Sequence, residues 1–370
     1  MRLKGDEMTR SEESIKRLEW LDVARSFAIC AVVLCHCVEQ FYSFSIEGVS
    51  NLTSLSKWFM FSAHTIGRMG VPIFLFLTGY LLLGKYGEVS ECLKFWKTKL
   101  IPLIVTAQIW IIFYNIFISV YYGQQFEIDT LFRNMLFVGN VAMSHTWYLP
   151  MIIGMYFLLP FVSSVLNKFP IKIINLVLVV SIIYSFVVPF VNQYHAILRP
   201  DSGVVISPVL NLSFAGGIYA VYWVIGYYFK RGIFEKVKAV TWLIGFLFFY
   251  VLTVVFQVWA FSKSVAYLNW YDLPLLLLTT ICLFGLFSRF PQIRFQRFFK
   301  SLSICSFGIY LVHYPVMRVV RDHFMPNVMN GKAEAVVMLT LITLVISFLF
   351  VCVASKNSVL RKYLFLIKTK

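Results

Sequence analysis

The chain has 370 residues, of which 59% are hydrophobic and only 14% charged, and its formal net charge is +16. A soluble chain carries roughly 25% charged residues, so this composition excludes an ordinary soluble domain. In a soluble protein the excess positive charge would suggest nucleic acid; in a membrane protein Lys and Arg mark the cytoplasmic loops, and no nucleic-acid partner is needed.

Apolar segments of spanning length recur from end to end. After a basic N-terminal segment (1–19), helices are predicted over 20–44, 65–84, 100–122, 146–166, 171–191, 211–229, 239–261, 268–288, 301–322 and 333–355, and a basic tail (356–370) follows. No internal repeat, low-complexity tract or long linker interrupts 20–355. That stretch reads as one polytopic domain, an all-α integral membrane bundle of about ten transmembrane helices. With the N-terminus inside, the cytoplasmic segments hold 24 of the 33 Lys and Arg, the outer segments hold eight, and Arg25 lies within the first helix. This bias alternates correctly at every loop and predicts that both termini are cytoplasmic. The first helix lacks a small-residue cleavage site and is expected to be retained. The seven cysteines show no metal-ligand spacing and read as small apolar filler.

The first helix contains "LDVARSFAICAVVLCH" (Leu21–His36). A charge at the bilayer centre costs about 2.5–3.5 kcal/mol on insertion scales, so intramembrane ionisable residues usually have a task. Eleven residues make about three helical turns, which puts Arg25 and His36 within roughly 20° of one face and some 16 Å apart along the axis. Asp22 can pair with Arg25 one turn away. Two readings stand at this point: a helix-end ion pair with a hydrogen-bonded histidine, or a functional pair.

Four segments carry a family resemblance. The first-helix pattern of Leu-Asp, an Arg, ten residues and a His is similar to the opening helix of the membrane-bound acyltransferase 3 family. "GRMGVPIFLFLTGYLLL" (Gly67–Leu83) resembles that family's next helix, with Thr78 where Ser is usual. "HTWYLPMIIGMYFLLP" (His145–Pro160) resembles a segment of its bacterial sugar O-acetyltransferase branch, and "LSICSFGIYLVHYPV" (Leu302–Val316) resembles its late signature. The basic loop "KFWKTKLIP" has Lys94, Lys97 and Lys99 in place of an Arg-rich pattern, and Lys binds phosphate as a point charge.

The resemblance implies acyl transfer from acyl-CoA, acetyl-CoA or another, to a cell-surface or lipid-linked glycan at a bacterial plasma membrane. It implies no tightly bound cofactor. Polyanionic CoA would approach from the side of Arg25, Lys97 and Lys99. His36, deeper in the bilayer, would act as general base on the acceptor hydroxyl, histidine being suited to that near neutral pH. Substrate binding is expected of Arg68 (with His64 one turn away), His145, Tyr148 and His313. For His145 and Tyr148 the other reading is an aromatic interface anchor, and for His313 a packed, hydrogen-bonded residue. Arg318 and Arg321 are expected to face outward toward headgroups. No metal site is predicted. A transporter or glycan exporter, with helix breaks at Gly70–Pro72 and Gly216–Gly217, is the alternative class.

Overall fold

The computed structural model describes residues 18–139, 141–199, 205–207, 217–267, 269–292, 294–326 and 332–368. Most of the N-terminal segment (1–17), Gly216, the first residues of the predicted sixth helix and the last two residues lie outside the described residues. Among the described residues the chain is helical and contains no strand. Eight helices are long and apolar enough to cross a membrane. They are α1 (Glu19–Phe41), α2 (Ser54–Leu82), α3 (Val89–Tyr122), α4 (Ser144–Lys168), α5 (Ile171–Leu198), α7 (Ala239–Ser262), α9 (Gln296–Phe324) and α10 (Ala333–Ala354). The helices at the sixth and eighth places, α6 (Gly217–Lys230) and α8 (Pro274–Phe287), have 14 described residues each.

The largest differences from the sequence pattern have local causes. α2 begins eleven residues before the predicted start, because "SLSKWFMFSAHTIGR" is capped by Thr53, whose side chain accepts from Ser56 N–H. The helix is interrupted at Met69, directly before the expected break at Gly70–Pro72. Pro72 falls in the first turn after the interruption, where a missing N–H costs little. In α3 and α5 a π-helical turn (Trp96–Leu100 and Ile183–Val187) sits just before Pro102 and Pro189. The wider turn accommodates the carbonyl four residues before each proline, which would otherwise meet its ring.

Contacts give the relative directions of paired helices. α1 and α9 run parallel, Arg25 meeting Ser303 and His36 meeting His313. α2 runs opposite to α1, joining Tyr80 to Trp20 and Arg68 to Glu39. α3 and α4 are antiparallel through Trp96–Phe157 and Tyr114–His145, and α5 and α6 through Asn175–Tyr228 and Phe186–Tyr222. Thr253–Thr279 and Trp242–Gly285 join α7 and α8 in the same sense. Within each of the pairs α1–α2, α3–α4, α5–α6 and α7–α8 the direction therefore reverses.

α1 and α9 form the middle: 67% of the apolar stretch of each is buried, against 11% for α5, whose side chains mostly face outward. α2 packs tightly between α1 and α6. A Cβ on Gly79 would lie 2.0 Å from the Trp223 carbonyl oxygen, and one on Gly226 would lie 2.2 Å from that of Phe76. Small residues let backbones approach this closely where no hydrophobic effect drives helices together. The result is a closely packed α1–α2–α9 frame with Arg25 near one end and His36 near the other.

Candidate active site

At the Arg25 end, the guanidinium Nη1 donates to Ser303 Oγ (3.3 Å). Arg25 lines a cavity of about 340 Å³ together with Lys99, Thr78, Tyr148, Tyr156 and Tyr310, among others. Lys99 is half-buried there, whereas Lys94 and Lys97, on other faces of the same turn, are exposed. The structure thus joins Arg25, Lys99 and Tyr148 in one cavity and leaves Lys97 outside its lining.

At the other end of α1, His36 is held by a residue that sequence reading missed. Its Nδ1 lies 3.0 Å from Glu39 Oε2. The signal was present in the spacing, because residues three apart on a helix are neighbours. A carboxylate can only accept, so Nδ1 carries the proton in neutral His36 and the Nε2 lone pair is left free.

Two more imidazoles meet this one. The His313 ring stacks 5.5 Å from that of His36, and the His145 ring lies 5.3 Å from His313 and 6.3 Å from His36. Both are fully buried. His313 Nδ1 sits against the carbonyl oxygens of Tyr310 (2.6 Å) and Ile309 (3.2 Å), so Nδ1 donates. Its Nε2 is a lone pair without a partner. Tyr114 donates its one hydroxyl proton to Leu311 O (2.7 Å), so His145 Nε2, 3.3 Å from that hydroxyl, must donate to it. His145 Nδ1 is then a second buried lone pair without a partner. Buried polar atoms are rarely left unpaired, and two at one place invite a hydroxyl-bearing ligand.

Tyr310 connects the two ends. It lines the Arg25 cavity, its hydroxyl donates to His145 O (2.9 Å), and its ring lies 5.7 Å from His145 and 6.1 Å from His313. Tyr148 packs 5.5 Å from Tyr310 and so faces the cavity rather than serving as an interface anchor. Tyr314 stacks on His145 at 4.6 Å and meets His36 at 5.5 Å.

Arg68 braces this end from α2. Its Nη2 lies 3.3 Å from Glu39 Oε1, its Nε donates to His64 Nε2 (3.2 Å), and its guanidinium stands 4.6 Å over the Trp270 ring. Cys35, Glu39 and His64 bring one ligand atom each within 4.8 Å of one another, a grouping the sequence spacing did not reveal. Arg68 meets both Glu39 and His64, and its charge answers that of the carboxylate. Arg318 donates to Gln40 Oε1 (2.6 Å) and to Tyr122 Oη (2.7 Å), and Arg321 lies over Phe41 at 4.7 Å.

The arrangement offers a cationic cavity at one end, an oriented base with two further lone pairs at the other, and Tyr310 between them. A family model described as an acyltransferase domain matches residues 18–355. No curated protein and no solved structure matches the chain.

Proposed function

The chain belongs to the acyltransferase family, and from that membership we propose that it is an integral membrane O-acyltransferase. It takes an acyl group, acetyl in the first instance, from cytoplasmic acyl-CoA and passes it to a hydroxyl of a cell-surface or lipid-linked glycan. The setting is a bacterial plasma membrane, crossed ten times, with both termini cytoplasmic. The reversal of direction within each helix pair supports that count, with α6 and α8 as short crossings, and the Lys and Arg bias supports the orientation.

The observation that carries the reading is that a single helix, α1, presents Arg25 to a cavity near its N-terminal end and a Glu39-oriented His36 near its C-terminal end, both against α9. Arg25 and Lys99 bind the anionic part of the donor, and the apolar wall of the cavity takes the pantetheine arm. The thioester reaches the imidazoles past Tyr148 and Tyr310. His36 Nε2 takes the proton from the acceptor hydroxyl as its oxygen attacks the thioester carbonyl. The new C–O bond forms, the C–S bond breaks, and the leaving thiolate recovers the proton from His36 to give free CoA. Glu39 holds the tautomer that this step requires and stabilises the imidazolium that forms, as carboxylates do behind histidine bases elsewhere.

His145 and His313, whose free lone pairs accept from hydroxyl donors, position a polyhydroxylated acceptor, with Arg68 and Trp270 at its outer edge. No tightly bound cofactor enters this scheme, since the acyl-CoA is consumed.

Purified protein in detergent, given acetyl-CoA and a glycan acceptor, is expected to release free CoA, detected with a thiol reagent. A protein that only moves glycan across the membrane would leave the thioester intact.

A further inference from the structure

The segment after α10 turns back into the bundle. A short helix, Ser358–Tyr363, starts at Asn357, whose Oδ1 accepts from the N–H groups of Val359 (2.9 Å) and Leu360 (3.2 Å). Two α3 side chains then hold the following backbone: Thr106 Oγ1 donates to Tyr363 O (2.7 Å) and Trp110 Nε1 donates to Leu364 O (3.0 Å). Phe365 is 1% exposed and packs between Trp110, Phe350 and Gly308, where a Cβ would come within 2.9 Å of its ring. Ile367 N–H closes the turn on Arg361 O (3.0 Å).

This docking brings Lys368 near enough to Lys99 for the two positive charges to act on one another. Neither lysine belongs to any ion pair with a carboxylate among the described residues. Two like charges held together repel, and a fold that fixes them there gains when an anion enters between them. Lys99 is also part of the cavity lining that includes Arg25, and Lys368 is exposed.

We propose that the docked C-terminal tail completes a phosphate site at the Arg25 cavity, where Lys99 and Lys368 together bind a phosphate of the acyl-CoA nucleotide. This rests on the acyl-CoA reading above and assigns part of the donor site to a segment that the sequence presents only as a basic tail. An anionic lipid headgroup offers the same phosphate chemistry, and the test separates the two sources.

Equilibrium binding is measured on the full chain in phosphatidylcholine nanodiscs, with acetyl-CoA and with acetyl-pantetheine, which lacks the nucleotide phosphates. Lys368→Ala is expected to weaken acetyl-CoA binding about tenfold, as a partly exposed charge-assisted contact would. Lys368→Glu should weaken it further, and Phe365→Ala, which releases the tail, should reproduce the loss. Acetyl-pantetheine binding should be unchanged in all three. An unchanged acetyl-CoA affinity in Lys368→Ala overturns the proposal, as does an equal loss for both ligands, which would mean a structural role. So does a Lys368 effect that appears only when anionic lipid is added to the discs, which would make the pair a headgroup site. Failure of the wild-type chain to bind acetyl-CoA would remove the acyl-CoA reading itself, and this site with it.

Discussion

Replacing Glu39 by Gln separates a histidine that is merely buried from one held as a base. The substitution keeps the size of the side chain and its hydrogen-bonding capacity while removing the charge. In the native arrangement the carboxylate accepts from His36 Nδ1 at 3.0 Å and pairs with Arg68 at 3.3 Å. A Gln amide can instead donate to Nδ1, which favours the tautomer with the proton on Nε2 and blocks the lone pair that the reaction needs. Nothing then stabilises the imidazolium. Turnover should fall by about 10²–10⁴-fold, the range for losing a positioned base. Arg68 also loses its partner. The Glu39 side chain is 31% exposed, so the expected destabilisation is about 1–3 kcal/mol, between the values for exposed and buried ion pairs. Glu39→Asp keeps the charge beside Arg68 and should recover stability with partial activity. The assay is CoA release under saturating acetyl-CoA, with the KM for acetyl-CoA measured alongside. That KM should stay within about twofold of wild type, because Glu39 lies at the opposite end of α1 from the donor cavity and only transition-state interactions are removed. A folded Glu39→Gln protein with wild-type turnover would refute the role given to the His36–Glu39 pair.

Arg25→Ala should weaken acyl-CoA affinity by roughly ten- to a hundred-fold, with Arg25→Lys recovering part of it; equilibrium binding on the folded variant decides this. Gly79→Ala should destabilise the protein by about 1–3 kcal/mol through overpacking, because its Cβ would meet the Trp223 carbonyl, and a thermal melt in detergent that matched wild type would contradict the tight α2–α6 crossing. Single cysteines placed in 85–99 and 289–300, in a background without the native seven, should resist an impermeant thiol reagent in intact cells; labelling without lysis would reverse the orientation.

Most of the helices were legible in the sequence because eight of the hydrophobic runs are longer than a soluble core needs. The shared face of Arg25 and His36 was legible too, since it depends only on helical repeat. Glu39 was within reach by the same arithmetic, three residues beyond His36. The rest is tertiary. His145 and His313 come from α4 and α9, more than 100 residues from His36 and from each other, and nothing local says that their rings meet. Their free lone pairs depend on Tyr114, Leu311 and the Tyr310 carbonyl, partners that spacing does not reveal. Lys97 and Lys99 look equivalent in a basic loop, yet of the two only Lys99 is in the cavity lining. The tail was unreadable for another reason: its charge suggested solvent, while Phe365 is buried and Thr106 and Trp110 hold the backbone beside it.

Removal of the acceptor proton by His36 is measured by acyl transfer with purified His36→Gln, alongside acetyl-CoA binding by the same preparation. Gln can satisfy a buried hydrogen-bond partner but cannot take a proton at neutral pH. The expected result is a folded protein with wild-type donor affinity and about 10²–10⁴-fold lower turnover. A stable His36→Gln protein that transfers the acyl group at the wild-type rate would contradict it.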